Sequence, residues 1–196
     1  MNSTGKLYIL FYKPYGVLSQ FTREAGHLSL ADYGPFPKNT YAAGRLDADS
    51  EGLLLLTNDN TMKHRLTDPT YEHERTYLVQ VEGIPVEGDI KRLQNGVMIE
   101  KKRTKPAKVK MLISEPHLPP RSVPIRIRKN IPTSWIEMIL YEGRNRQIRK
   151  MTAAIEHPTL RLVRTSITFL ALDGLLPGTS RELTKKEVGT LLELIH

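Results

Sequence analysis

"AAGRLDADSEGLLLLTNDN", residues 42 to 60, sets three carboxylates within five residues, follows them with a glycine and runs into four leucines. The acidic segment reads as a loop, and the apolar run after it as a buried strand over 53 to 57 that anchors the loop in the core. Behind that strand, "NTMKHRLTD" (60 to 68) has the look of a helix.

Working outward, period-2 alternation and β-branched or aromatic content predict strands near 7 to 12, 75 to 82, 107 to 113, 135 to 141 and 159 to 165. Helical spacing is clearest over 145 to 156, where Ile148, Met151, Thr152 and Ile155 share one side. Segments 85 to 96 and 184 to 195 also read as helices, the latter with Thr184 and Glu187 as a capping box. Strands and helices do not alternate as in a doubly wound parallel sheet. The expected class is therefore α/β in the α+β sense, with a mixed, mostly antiparallel sheet flanked by helices.

The chain has 196 residues and 39% hydrophobic content, no apolar run long enough to cross a membrane, and no signal-peptide pattern. It contains no cysteine, which excludes disulfides and thiolate metal sites and makes a cytoplasmic location the default. Lys and Arg number 29 against 21 Asp and Glu, a formal charge of +8 that points to a polyanionic partner. Much of the excess falls in three runs, 91 to 108, 121 to 129 and 143 to 150, a distribution that favours RNA or DNA over solvated faces. Segment 115 to 135 combines five prolines with four basic residues, Arg126 and Arg128 among them, and reads as a long loop that contacts nucleic acid. No P-loop, dinucleotide fingerprint or Cys/His ligand set is present, so no cofactor is expected.

Three readings of the acid cluster compete. Asp47, Asp49, Glu51 and Gly52 echo the start of a calcium loop, but Leu55 and Asn58 then stand where oxygen ligands are required. A carboxylate pair for glycoside hydrolysis needs a separation that adjacent acids do not establish. The third reading leaves Asp49 and Ser50 to a turn and Glu51 to solvent, and makes Asp47 a single essential carboxylate beside Arg45.

The same stretch, GRLD followed by SEGLLLLTND, resembles the signature of the pseudouridine synthases of ribosomal RNA, in the branch of the small-subunit enzyme. Three more segments fall in the family's order: "FYKPYGVLSQFT" (11 to 22) resembles its KP-G motif, "ERTYLVQVEG" (74 to 83) its (K/R)-x-Y motif, and "LYEGRNRQIRKMTAAIEHPTLRLVR" (140 to 164) its carboxy-terminal motif. The likeness starts near residue 7, leaving no room for the S4 domain that most of the branch carries, and is closest to large-subunit members without one. It implies a single catalytic domain over 1 to 196, of two subdomains split near 60 to 70, with the catalytic cleft between them. It also implies isomerisation of uridine in 23S rRNA; 16S rRNA or tRNA as substrate, or a silent RNA-binding role, are the alternatives. A monomer is expected.

By resemblance Asp47 is the catalytic carboxylate, acting as a nucleophile at C1′ or a base at C2′. Tyr77 matches the tyrosine that stacks on the flipped base, Arg149 the basic residue that pairs with the aspartate, and Ile148 the apolar residue of the pocket. Flipping costs a few kcal/mol of unstacking, and stacking on an aromatic ring returns about 1–3 kcal/mol. Arg45, in the motif, is expected to fill the gap left in the RNA. Arg144, Arg146 and Lys150 stand with Arg149 at the start of a helix and are expected to bind RNA, Arg144 and Arg146 being suited to phosphate contacts; Lys13 and Pro14 are expected to pack.

Overall fold

The computed structural model describes residues 5–125, 128 and 130–194, and the chain forms two units. The first comprises the residues up to His73 together with those from Phe169 onward; the second is Glu74–Thr168. The chain opens with β1 (Tyr8–Lys13), β2 (Val17–Leu18), β3 (Leu28–Ser29), β4 (Tyr41–Ala42), β5 (Glu51–Thr57) and α1 (Asn60–Thr67). The second unit follows with β6 (Arg75–Glu82), α2 (Glu87–Gln94), β7 (Met98–Ile99), β8 (Lys102–Arg103), β9 (Lys108–Met111), β10 (Thr133–Leu140), α3 (Gln147–Ala154) and β11 (Thr159–Ile167). β12 (Leu170–Ala171), β13 (Ser180–Glu182) and α4 (Lys185–Leu194) return the chain to the first unit. Among the described residues no helix is long and apolar enough to cross a membrane.

In the first unit β1 lies between β13 and β5, and β4 pairs with β5, all antiparallel. Every residue of β1 and β5 is buried, as a strand covered on both faces requires. Leu53, Leu54, Leu55 and Leu56 are fully inaccessible, each contributing about 1.5–3 kcal/mol over an exposed leucine. Burial of the whole strand also corrects the reading of Glu51: as its first residue it has no solvent side and is 3% exposed. The capping box of α4 forms, Thr184 N donating to Glu187 Oε2 and Glu187 N to Thr184 Oγ1. Arg181 grips the same carboxylate with two nitrogens, and that grip is the main cause that lowers Glu187 to about 2.

In the second unit the strand order is β11, β6, β10, β9, again antiparallel. β6 alternates buried and half-buried along its eight residues, so Arg75, Tyr77, Val79 and Val81 share the inner face. β10 begins at Thr133, two residues earlier than its pattern predicts, because the ladder continues unbroken to the pair Thr133↔Glu82. Ser134 Oγ closes that end by donating to Gly83 O at 2.7 Å. The strands that the pattern misses are two or three residues long, shorter than one period of alternation can reveal.

Candidate active site

The loop that carries Asp47 connects β4 to β5 and is held on both sides of the acid. Leu46, just before it, is bonded twice to one hydroxyl: Ser19 Oγ donates to Leu46 O at 2.7 Å, and Leu46 N donates to Ser19 Oγ at 3.0 Å. Ala48, just after it, accepts from Gly16 N at 2.7 Å. Lys13, 0% exposed, directs its ammonium to the carbonyls of Val17 (2.7 Å), Pro14 (2.9 Å) and Ala48 (3.4 Å). Ser50 N bonds back to Asp47 O at 3.0 Å, so residues 47 to 50 make the turn expected of Asp49 and Ser50. Asp47 itself is half-buried. Gly16 (φ +82) and Gly44 (φ +86) adopt left-handed backbone at the two bends, which a side chain would strain. The Lys-Pro-Tyr-Gly segment therefore acts as a brace for the acid loop. Arg45 is exposed, its Nη2 3.4 Å from Gln20 Oε1.

In the second unit Tyr77 is 8% exposed and lies across from Met138 on β10 and Arg164 on β11. Register partners share a face, so the ring stands between a thioether and a guanidinium. Arg75, two residues back on the same face, is also buried; burial lowers its pKa, Tyr77 opposes that shift and Arg164 adds to it. Neither Arg75 nor Arg164 stood out in the sequence as a site residue. The phase of Arg75 with Tyr77, Val79 and Val81 was the available signal, masked by its charge.

The start of α3 is organised by Gln147, whose amide accepts from Arg144 N at 2.9 Å and donates to Glu142 Oε1 at 2.7 Å. Arg146 precedes the helix in left-handed backbone (φ 49, ψ 33) and is exposed, while Ile148 is buried and Arg149 half-buried. Two residues expected to meet RNA are engaged within the fold. Arg144 directs Nη1 and Nη2 to the carbonyls of Ile99 (3.2 Å), Arg103 (3.3 Å) and Lys102 (3.4 Å). Lys150 pairs with Glu100 at 2.6 Å and donates to Asn145 O at 2.8 Å.

The proline-rich segment is an irregular loop in its described part. Arg161 Nη2 ties it to β11 through Pro119 O at 2.8 Å, Arg121 donates to Pro124 O at 3.0 Å within it, and Arg128 pairs with Glu82 at 3.4 Å. Arg126 lies outside the described residues.

The braced aspartate belongs to the first unit, and the sheet-borne tyrosine, the buried arginines and the basic opening of α3 belong to the second; the class of protein, an RNA-modifying isomerase, follows from the family that both units match. Residues 7–154 match the family model described as RNA pseudouridylate synthase, and the chain belongs to that family. It is 51% identical over 171 residues to the ribosomal large subunit pseudouridine synthase E of Xanthomonas axonopodis pv. citri, covering 86% of this chain and 90% of that protein. Against the ribosomal large subunit pseudouridine synthase B of Bacillus subtilis it is 40% identical, over 96% of this chain and 72% of that one. A crystal structure of a pseudouridylate synthase superposes with a TM-score of 0.79 at 28% identity, over 95% of this chain and 74% of that one.

Proposed function

We propose that the protein converts a uridine of 23S rRNA to pseudouridine. The N-glycosidic bond at C1′ breaks, the detached uracil turns, and a C1′–C5 bond forms while the C5 proton leaves and N1 gains one. Asp47 is the catalytic carboxylate, and its two modes, attack at C1′ or proton removal at C2′, both demand an acid fixed in position. The observation that carries this reading is the brace around Asp47: Leu46 is held by Ser19, and Ala48 by Gly16 and Lys13. Tyr77 stacks on the flipped base, Ile148 lines its apolar surroundings and Arg149 supplies the positive charge of the carboxy-terminal motif. Arg45 and Arg146, both exposed, contact RNA. The choice of large-subunit rRNA is supported by the names of relatives about half identical to this chain; such work belongs in the cytoplasm.

The test is tritium release from unmodified 23S rRNA carrying 5-³H-uridine, with 16S rRNA and tRNA in parallel. Wild type should release tritium from 23S alone, and Asp47→Asn should release none while still binding. Release from 16S rRNA or tRNA instead would reject the substrate, and equal release by Asp47→Asn would reject the residue.

A further inference from the structure

The basic run 91 to 108 has no part in the reaction as proposed, yet the second unit shapes it into a defined surface. β7 and β8 form a hairpin with register Met98↔Arg103 and Ile99↔Lys102, so its loop is only Glu100 and Lys101. Both loop residues have positive φ, 49° and 63°. A two-residue turn of this hand favours Asn and Gly, and here two long charged side chains occupy it. The base of the hairpin is fixed as well. Gly96 (φ +81) lies so close to Thr104 O that a Cβ would stand 2.3 Å from it, and Val97 N donates to Thr104 Oγ1 at 3.0 Å.

Arg144 and Lys150 hold this strained hairpin against the start of α3. The Arg144 guanidinium reaches the carbonyls of Ile99, Lys102 and Arg103, and Lys150 takes up the charge of Glu100. What remains outward is cationic. Lys101, Lys102 and Arg103 are exposed, and Lys101 and Lys102 enter no ion pair among the described residues. Between the hairpin and α2 opens a pocket of about 450 Å³ lined by Lys91, Arg92, Asn95, Met98 and Arg103. Lys91 and Arg92 are balanced there by Glu87 and Asp89, which leaves the hairpin as the uncompensated charge.

We infer that the β7–β8 hairpin is a second RNA-contact surface, on which Lys101 and Lys102 bind backbone phosphates of the substrate outside the target nucleotide. Arg144 and Lys150 are positioning residues that hold it to α3. The inference rests on the reading of the protein as an rRNA-modifying enzyme. It explains why a basic motif next to Ile148 and Arg149 points two of its cations at the protein: they fix where a separate charged element stands.

The test measures affinity of full-length protein for 23S rRNA as a function of KCl. Two lost phosphate contacts should lower the slope of log K against log salt by about 1.4–1.8 and weaken binding roughly tenfold or more at moderate salt. That result is expected of Lys101→Ala/Lys102→Ala, with recovery in Lys101→Arg/Lys102→Arg. Arg144→Gln should weaken binding similarly and also speed amide hydrogen exchange in residues 98 to 103, which the lysine variant leaves slow. An unchanged salt slope in the lysine double variant overturns the RNA contact, and unchanged exchange in Arg144→Gln overturns the positioning role. Tritium release by wild type is read separately: its absence rejects the enzyme reading, while the salt slope still decides the hairpin.

Discussion

Ser19 and Leu46 are joined by two hydrogen bonds through one hydroxyl, 27 residues apart in sequence and immediately before Asp47. Removing that hydroxyl leaves a buried N–H and a buried C=O of Leu46 to find other partners, at about 1–3 kcal/mol for each group left unsatisfied. Ser19→Ala should therefore shift the urea midpoint and also loosen the acid. Because displacements near 1 Å at a reacting group cost about 100-fold, kcat for tritium release should fall tenfold or more, with a smaller change in KM. Loss of stability with kcat intact would reduce Ser19 to a support of the fold.

Lys13 is the companion case. Its ammonium is wholly buried and bonded to three carbonyls, one of them the residue after Asp47. Lys13→Met keeps an unbranched side chain one atom shorter and removes every donor, so each of the three carbonyls loses a bond in a dry environment. Equilibrium urea denaturation should show a loss of about 2–4 kcal/mol. A loss below 0.5 kcal/mol, the level of an ordinary surface change, would contradict the brace.

Asp59 couples pH to the stability of the first unit. It caps α1 by accepting from Thr61 N and Met62 N, and it meets Tyr8 Oη and Lys6 Nζ at 2.8 Å each. Burial opposes its ionisation, but the bonds from Lys6, Tyr8 and the Met62 amide outweigh that and hold its pKa below the usual value. Burial, then the bond to Asp59, raises Tyr8. A folded-state pKa below the unfolded one means the contribution is complete above about pH 4 and is lost as pH falls through the folded value. Asp59→Asn should thus be about 1–2 kcal/mol less stable at pH 7, and the two stability curves should converge between pH 4 and pH 2. A difference that stayed constant over that range would show that the charge contributes nothing.

These residues also mark where the sequence could be read and where it could not. The strict alternation of β6 and the four-leucine run of β5 each carry their own period, and the predicted ranges 75 to 82 and 53 to 57 match or nearly match the strands. The Thr184–Glu187 box is a local pattern and forms as such. Arg75 and Arg164 were harder because burial of a cation on a central strand is decided by neighbours distant in sequence, and charge alone argues for the surface. The hairpin of β7 and β8 was hidden for another reason: two residues per strand show no period, and its turn lacks the usual Asn and Gly.

Tyr77 separates ring from hydroxyl. With the ring on the inner face of β6 between Met138 and Arg164, a stacking role depends on the π-face. Tyr77→Phe should keep RNA affinity within about threefold, whereas Tyr77→Ala should lose about 1–3 kcal/mol of stacking, 5- to 150-fold in affinity. Fluorescence titration with a 23S rRNA fragment reads both. Complete loss of binding in the Phe variant would contradict stacking.

Arg146 should set stability against function. It is exposed and precedes α3 in left-handed backbone, φ 49, which non-glycine residues adopt at a cost. Glycine relieves that cost, so Arg146→Gly should gain up to about 1 kcal/mol in thermal denaturation. Alanine bears the same backbone penalty as arginine, and Arg146→Ala should show no such gain. Both variants lack the guanidinium, and both should weaken rRNA binding across substrates and flatten its salt dependence by roughly one phosphate contact. The pair isolates the two roles: a stability gain in Gly without Ala assigns the strain to the backbone, and an equal loss of affinity in both assigns the RNA contact to the side chain. If affinity held in either variant, Arg146 would leave the set of RNA contacts.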